Sequence, residues 1–159
     1  MLLEMILTPE LTRCQLPDIT SKKQVLEAVS TLISEADERI KFPDALEALQ
    51  KRERLGSTAI GYGVAIPHAR IKNLKKSVCV LITLATPVDF DSAEEIHNQP
   101  VDLIFSLLVP EEATPEHLDL LSEIAIKLKD KSYRDKLRAT KTNQALFEAA
   151  KYSSSTKSS

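Results

Sequence analysis

Three histidines (His68, His97 and His117) and three arginines (Arg52, Arg54 and Arg70) are the residues of this chain best suited to chemistry. Imidazole is a good nucleophile near neutral pH, because its ordinary pKa leaves much of it unprotonated. Toward phosphorus it needs positive charge and hydrogen-bond donors around the phosphoryl oxygens more than it needs a base. Arginine supplies both in a planar fork that matches phosphate. The stretch KRERLGSTAIGYGVAIPHAR, residues 51–70, holds the three arginines and His68, and with them Gly56, Gly61 and Gly63, the only glycines in 159 residues. A chain that avoids glycine elsewhere and gathers it here is shaping its backbone at this place, and the expectation is that it does so around His68.

Each candidate also has an ordinary reading. His97 lies in the polar stretch DSAEEIHNQP and reads as an exposed loop residue. His68 differs because it follows Pro67, whose fixed φ stiffens the backbone before it. VAIPH reads as a strand that delivers the ring at its end, beside a loop, where functional groups commonly sit. With Thr114 as N-cap and Pro115 as first helical residue, His117 falls in a first helical turn. The positive end of the helix dipole there favours a neutral imidazole and a neighbouring anion, and a neutral ring still donates one N–H. Its ordinary alternative is an exposed first-turn residue, and that of KRER is a solvated helix end. Residue types alone leave Arg52, Arg54 and Arg70 open as phosphate ligands, with Ser57 and Thr58 as further hydroxyl or backbone N–H donors.

Other chemistries fit less well. Gly56 and Gly61 have the spacing of a phosphate-binding P-loop, but Tyr62 stands where the lysine belongs. A dinucleotide fingerprint needs glycine where Ile66 stands and a helix where Pro67 forbids one. The histidines are widely spaced, without H-E-x-x-H or paired cysteines, so no metal site is expected. No G-x-S-x-G elbow supports a serine nucleophile.

The elements that must position these residues can be read from periodicity. Ser21-Lys-Lys-Gln24 is a capping box, and Val25, Leu26, Val29, Leu32 and Ile33 follow at helical spacing, predicting a helix over 22–36. Pro43 opens a second helix that carries Ala45, Leu46 and Leu49 and stops near Arg54, with Gly56 placed to terminate it. SVCVLITLA (77–85) and VDLIFSLLV (101–109) are nearly continuous apolar runs, the pattern of strands covered on both faces. Pro87 and the polar stretch after it read as the loop between them. Thr114-Pro115 starts a helix with Leu118, Leu121, Ile124, Ala125 and Leu128 on its buried stripe; Ser132 and Thr142 cap two more. Strands mixed with helices predict an α/β fold, a three-layer α/β/α sandwich with a mixed sheet. A single domain is expected over residues 1–152, with residues 153–159 a disordered serine-rich tail.

Bulk properties bound the partners. The net charge of −2 and a pI near 6.0 give no electrostatic footprint for nucleic acid or an acidic membrane surface. No apolar stretch reaches the ~20 residues of a membrane-spanning helix. Cys14 and Cys79 are far apart and unpaired in pattern, which suits a reducing cytoplasm, with Cys79 a buried core thiol.

RERLGSTAIGYGVAIPHAR resembles the signature around the phosphorylated histidine of the mannitol/fructose-type enzyme IIA family of the phosphoenolpyruvate-dependent phosphotransferase system, type-2 EIIA. PVDLIFSLLVP followed by EHLDLLSEIAIKLKD resembles the family's second signature, and the likeness spans roughly residues 5–150. The resemblance implies that His68 accepts a phosphoryl group on Nε2 from a histidine phosphocarrier protein, HPr or NPr, with no cofactor and no metal. It places the family's motif arginine on Arg52 and its second active-site histidine on His117. Ser57 and Thr58 are the expected phosphate-binding donors. The wording of the motif favours the family's nitrogen-regulatory branch, in which phosphorylation sets the binding of regulatory targets such as potassium transport or sensor proteins. The alternatives are passage of phosphate to a IIB domain for fructose/mannitol-type sugar uptake, and a non-catalytic partner-binding module. The presence of Arg52, His68 and His117 together argues against the last.

Overall fold

Nearly every side chain of the VDLIFSLLV run is buried, and the strand it forms is the one on which the site hangs. In chain order the elements are α1 (Leu3–Ile6), β1 (Leu7–Leu16), α2 (Lys22–Ala36), α3 (Phe42–Arg54), β2 (Ala59–Gly61), β3 (Val64–Ala65), β4 (His68–Ile71), β5 (Val78–Val88), β6 (Val101–Pro110), α4 (Glu116–Lys129), α5 (Lys131–Arg138) and α6 (Asn143–Ser155). The computed structural model describes residues 3–90, 99–113 and 115–155, and for residues 116, 117 and 153–155 the backbone only. Strand β6 pairs antiparallel with β5 on one side and parallel with β3 and β4 on the other. With β1 parallel to β5 and β2 antiparallel to β3, the sheet is mixed and six-stranded, in the order β1-β5-β6-β3-β2 with β4 also on β6.

Alternation along β5 and β6 sends side chains to two separate cores. On one face Val80, Ile82, Ile104 and Leu108 pack against Val25, Val29 and Ile33 of α2 and Ala45 and Leu49 of α3. On the other, Cys79, Leu81, Leu103, Phe105 and Leu107 meet Ile124 and Leu128 of α4, Leu137 of α5 and Leu146 of α6. A sheet with helices on both faces is the three-layer α/β/α sandwich expected from the two unbroken apolar runs.

The helix signals act much as their chemistry predicts. The Ser21 hydroxyl accepts from the Gln24 N–H at 3.2 Å, while the Gln24 amide oxygen accepts from the Thr20 N–H at 2.6 Å, one residue beyond the usual capping-box target. Thr142 Oγ1 accepts from the Ala145 N–H at 3.0 Å and caps α6. The cap of α5 is Asp130 rather than Ser132: the Ser132 N–H donates to the Asp130 carboxylate at 3.0 Å. Helix α6 runs on to Ser155, three residues into the stretch expected to be disordered; residues 156–159 lie outside the described residues.

Two strands run through proline, one of them past the expected loop. Strand β1 contains Pro9 and is an edge strand, where a missing N–H is tolerated; a register shift between Leu7 and Thr12 absorbs it. Strand β5 likewise continues through Pro87, expected as loop, to pair Val88 with Val101 after an irregularity beyond Thr83. Tyr62 and Gly63, with φ of 62° and 73°, turn the chain between β2 and β3 with the two positive φ values that a two-residue hairpin of native twist requires.

Two outcomes follow. Burial pushes the Cys79 thiol well above the usual range, whereas Cys14 is only half-buried. A thiol reagent at mildly alkaline pH should therefore modify one cysteine in the native protein and two after denaturation; two in the native state would contradict the packing. A Cβ on Gly63 would stand 2.7 Å from Arg138 Nη2 at a φ of +73°. Gly63→Ala should cost about 1–3 kcal/mol in urea melts, from strained backbone and the displaced arginine; an unchanged midpoint would show that the turn does not need glycine.

Candidate functional site

His68 is held by the backbone of the strand it belongs to. Ala65 lies opposite Ile104 and His68 opposite Leu107, so β3 and β4 keep one register on β6. Between them the Pro67 carbonyl still accepts from the Leu107 N–H at 2.9 Å. The two segments are one strand that is broken only where proline cannot donate. His68 thus stands within an extended run rather than at its end, which corrects the expected strand terminus. It is half-buried, and its Nδ1 lies 2.9 Å from the Ile66 carbonyl oxygen. A carbonyl only accepts, so Nδ1 carries the proton and Nε2 keeps its lone pair.

That lone pair faces α3. In the last turn of this helix Arg52 donates from Nε to His68 Nε2 at 3.2 Å and from Nη1 to the Gly56 carbonyl at 2.8 Å. Of the three arginines left open by residue type, Arg52 is the one brought to the imidazole. Arg54 is exposed on another side of the helix end, beside a hollow lined by Lys22, Lys23 and Gln50. The Arg70 Nη1 donates to the Glu111 and Ala113 carbonyls at 3.0 and 2.8 Å, tying β4 to the segment that leads into α4. The pair opens on a cleft of about 540 Å³ whose lining includes Leu55, Arg70, Leu107 and Val109. Leu55 is 83% exposed at its rim.

The Ser57 hydroxyl and the hydroxyl and N–H of Thr58 are engaged elsewhere. The Ser57 hydroxyl donates to the Phe90 carbonyl at 3.1 Å and accepts from the Ala59 N–H. Thr58, buried, gives its N–H to Glu53 Oε2 at 2.8 Å and its hydroxyl to Oε1 at 2.9 Å. His117 is the second residue of α4, in its first turn as expected; its side chain, Thr114 and His97 lie outside the described residues. Pro115 precedes α4 with helical φ and ψ of −58° and −8°.

Gly56, at φ +152°, follows the helix end directly, and its carbonyl is the second anchor of Arg52. Gly61 and Gly63 shape the β2–β3 hairpin instead. The sequence reading missed Glu53, a 7% exposed carboxylate at the end of α3 that binds the turn after it. Its one sequence signal was a charge five residues before a threonine, inside a run that looked uniformly solvated. Among the described residues no group of three or more His, Cys, Asp or Glu side chains is gathered to hold a metal ion. No helix among them is long and apolar enough to cross a membrane.

An imidazole with its proton fixed on one nitrogen and a guanidinium on the other is suited to nucleophilic chemistry on an anionic centre. Comparison with known proteins agrees with that chemistry. The family described as phosphoenolpyruvate-dependent sugar phosphotransferase system, EIIA 2, matches residues 5–152. The nitrogen regulatory protein of Pseudomonas aeruginosa is 42% identical over 146 residues, 92% of each chain. The crystal structure of nitrogen regulatory protein IIA-Ntr from Neisseria meningitidis superposes with a TM-score of 0.80 at 37% identity, covering 94% of this chain and 99% of that one. A more distant likeness, of fold alone, is to the Escherichia coli complex of enzyme IIAMTL with phosphorylated enzyme IIBMTL (TM-score 0.68, 18% identity, 87% and 93% covered). On this evidence the chain belongs to the EIIA type 2 family of the phosphoenolpyruvate-dependent sugar phosphotransferase system, as a homologue of its nitrogen regulatory IIA proteins.

Proposed function

We propose that this chain is a regulatory phosphocarrier whose acceptor is His68 Nε2. The donor is the phosphohistidine of a histidine phosphocarrier protein, HPr or NPr. The observation that carries the reading is the pair of opposed hydrogen bonds on one ring: Nδ1–H to the Ile66 carbonyl, and Arg52 Nε–H to Nε2. In the transfer, the Nε2 lone pair forms the new N–P bond as the donor's N–P bond breaks, and the donor imidazole keeps the electron pair. Arg52 Nε–H releases the lone pair and turns to a phosphoryl oxygen, while the Gly56 carbonyl keeps the guanidinium in place. His117, at the N-terminus of α4, supplies a further donor where the helix dipole also favours the anion. Ser57 and Thr58 act in this reading by holding the loop under the arginine. No cofactor enters the step.

The phosphoryl group adds about −1.5 to −2 charge to a rim that includes the exposed Leu55, by analogy with other phosphorylated side chains. A change of that size at a docking surface selects between partners. Regulatory targets, among them potassium transport or sensor proteins, then bind one form in preference to the other, in a cytoplasmic setting. The nitrogen regulatory relatives support this branch. The fold likeness to a IIA protein solved with its phosphorylated IIB favours a second reading, passage of the phosphate to a IIB domain.

Incubation with phosphoenolpyruvate, enzyme I and either phosphocarrier should add one acid-labile phosphoryl group to the wild-type mass and none to His68→Ala. Arg52→Ala should slow the reaction by about 100-fold or more, the usual loss when a preorganised donor to a developing charge is removed. His117→Ala should slow it without abolishing the acceptor. No adduct with either donor would sink the phosphocarrier reading. Onward transfer to a supplied IIB domain and sugar would move the assignment to the second reading.

A further inference from the structure

We propose that Glu53 is a positioning residue for this transfer: its buried carboxylate fixes the Gly56–Thr58 turn and, through the Gly56 carbonyl, the Arg52 guanidinium on His68 Nε2. The inference rests on the phosphocarrier reading of His68 for its consequence, but its geometry stands separately. Arg52 is a long side chain that is fixed at two points, His68 Nε2 and Gly56 O. Gly56 leaves the helix at a φ of +152°; its N–H donates to the Glu53 carbonyl at 3.1 Å, but that bond does not fix the direction of its own carbonyl. The turn is instead tied down by side chains. Glu53 Oε2 accepts the Thr58 N–H at 2.8 Å and Oε1 accepts the Thr58 hydroxyl at 2.9 Å. On the far side Ser57 Oγ donates to Phe90 O, and Lys22 Nζ donates to the same carbonyl at 3.3 Å while standing 3.7 Å from Glu53 Oε2.

The placement of this carboxylate is unfavourable on general grounds. It is buried, and it lies at the C-terminal end of α3, where the negative end of the helix dipole repels it. A buried charge of this kind adds little to stability that an apolar side chain of similar volume would not add. Its hydrogen bonds do something an apolar side chain cannot: they hold a backbone N–H and a hydroxyl of the same residue at once. Arg52 and Glu53 are adjacent, so the helix end that carries the guanidinium also carries the strut for the carbonyl on which it rests.

The test follows two quantities in wild type, Glu53→Gln, Thr58→Val, Thr58→Ser and Arg52→Ala: the 15N resonance of His68 Nε2 in the unphosphorylated protein, and the rate of phosphoryl transfer from the phosphocarrier. Glu53→Gln and Thr58→Val should move the Nε2 resonance toward its value in Arg52→Ala and slow transfer about tenfold, as for loss of one charge-assisted hydrogen bond. Thr58→Ser, which keeps both donors, should resemble wild type in both. Because Glu53 acts through Arg52, adding Glu53→Gln to Arg52→Ala should bring no further loss of rate. A wild-type Nε2 resonance in folded Glu53→Gln and Thr58→Val would overturn the proposal, and so would rate losses that multiply in the double variant. If the wild-type protein accepts no phosphate at all, the phosphocarrier reading fails, and the Nε2 resonance alone decides whether Glu53 positions Arg52.

Discussion

The shared register of residues 64–71 on β6 is the constraint from which the site follows. Proline removes one donor from that ladder, yet Ala65 and His68 keep the same offset to Ile104 and Leu107 across the gap. The strand neither bulges nor slips, so each side chain after Pro67 keeps the face that its number assigns. His68 is therefore oriented by the sheet, and the Ile66 carbonyl two residues back is close enough to receive its Nδ1–H. Since β6 is buried along almost its whole length, His68 is held by a strand packed on both faces.

Opposite this rigid side stands a helix end. The last turn of α3 presents basic residues, as its dipole favours, but only one of them is used at the imidazole. The buried Glu53 beside it is compensated by Thr58 and Lys22, so helices α2 and α3 and the turn before β2 meet in one polar network at the helix end. Arg70 performs a similar tying function on the other flank, from β4 to the approach of α4.

Much of this was legible in the residues. The continuous apolar runs of β5 and β6 required cover on both faces, which is why the layered fold could be read before any coordinates. Ser21 and Gln24 marked the start of α2, and Pro43 the start of α3. Reading failed where tertiary context overrides local rules. Pro87 argues against a strand in isolation, but a register irregularity accommodates it. Asp130 displaced Ser132 as a cap because both can serve, and only geometry chooses. At the site, the glycine-rich stretch and the Pro-His pair pointed to His68, while residue type could not separate Arg52 from Arg54; the pitch of α3 does so. Glu53 was invisible for a different reason: burial of a charge is decided by what surrounds it in space, and Lys22 lies far from it in sequence.

The hydrogen bond from His68 Nδ1 to the Ile66 carbonyl has an effect on traffic as well as on chemistry. A ring tethered at Nδ1 presents Nε2, and among the described residues the cleft beside Arg52 is the opening that His68 lines. In the proposed phosphocarrier reading, the donor and the recipient both reach that atom through the same doorway, one after the other. Two partners competing for that doorway exclude each other by geometry alone, with no need for a change of shape elsewhere in the protein.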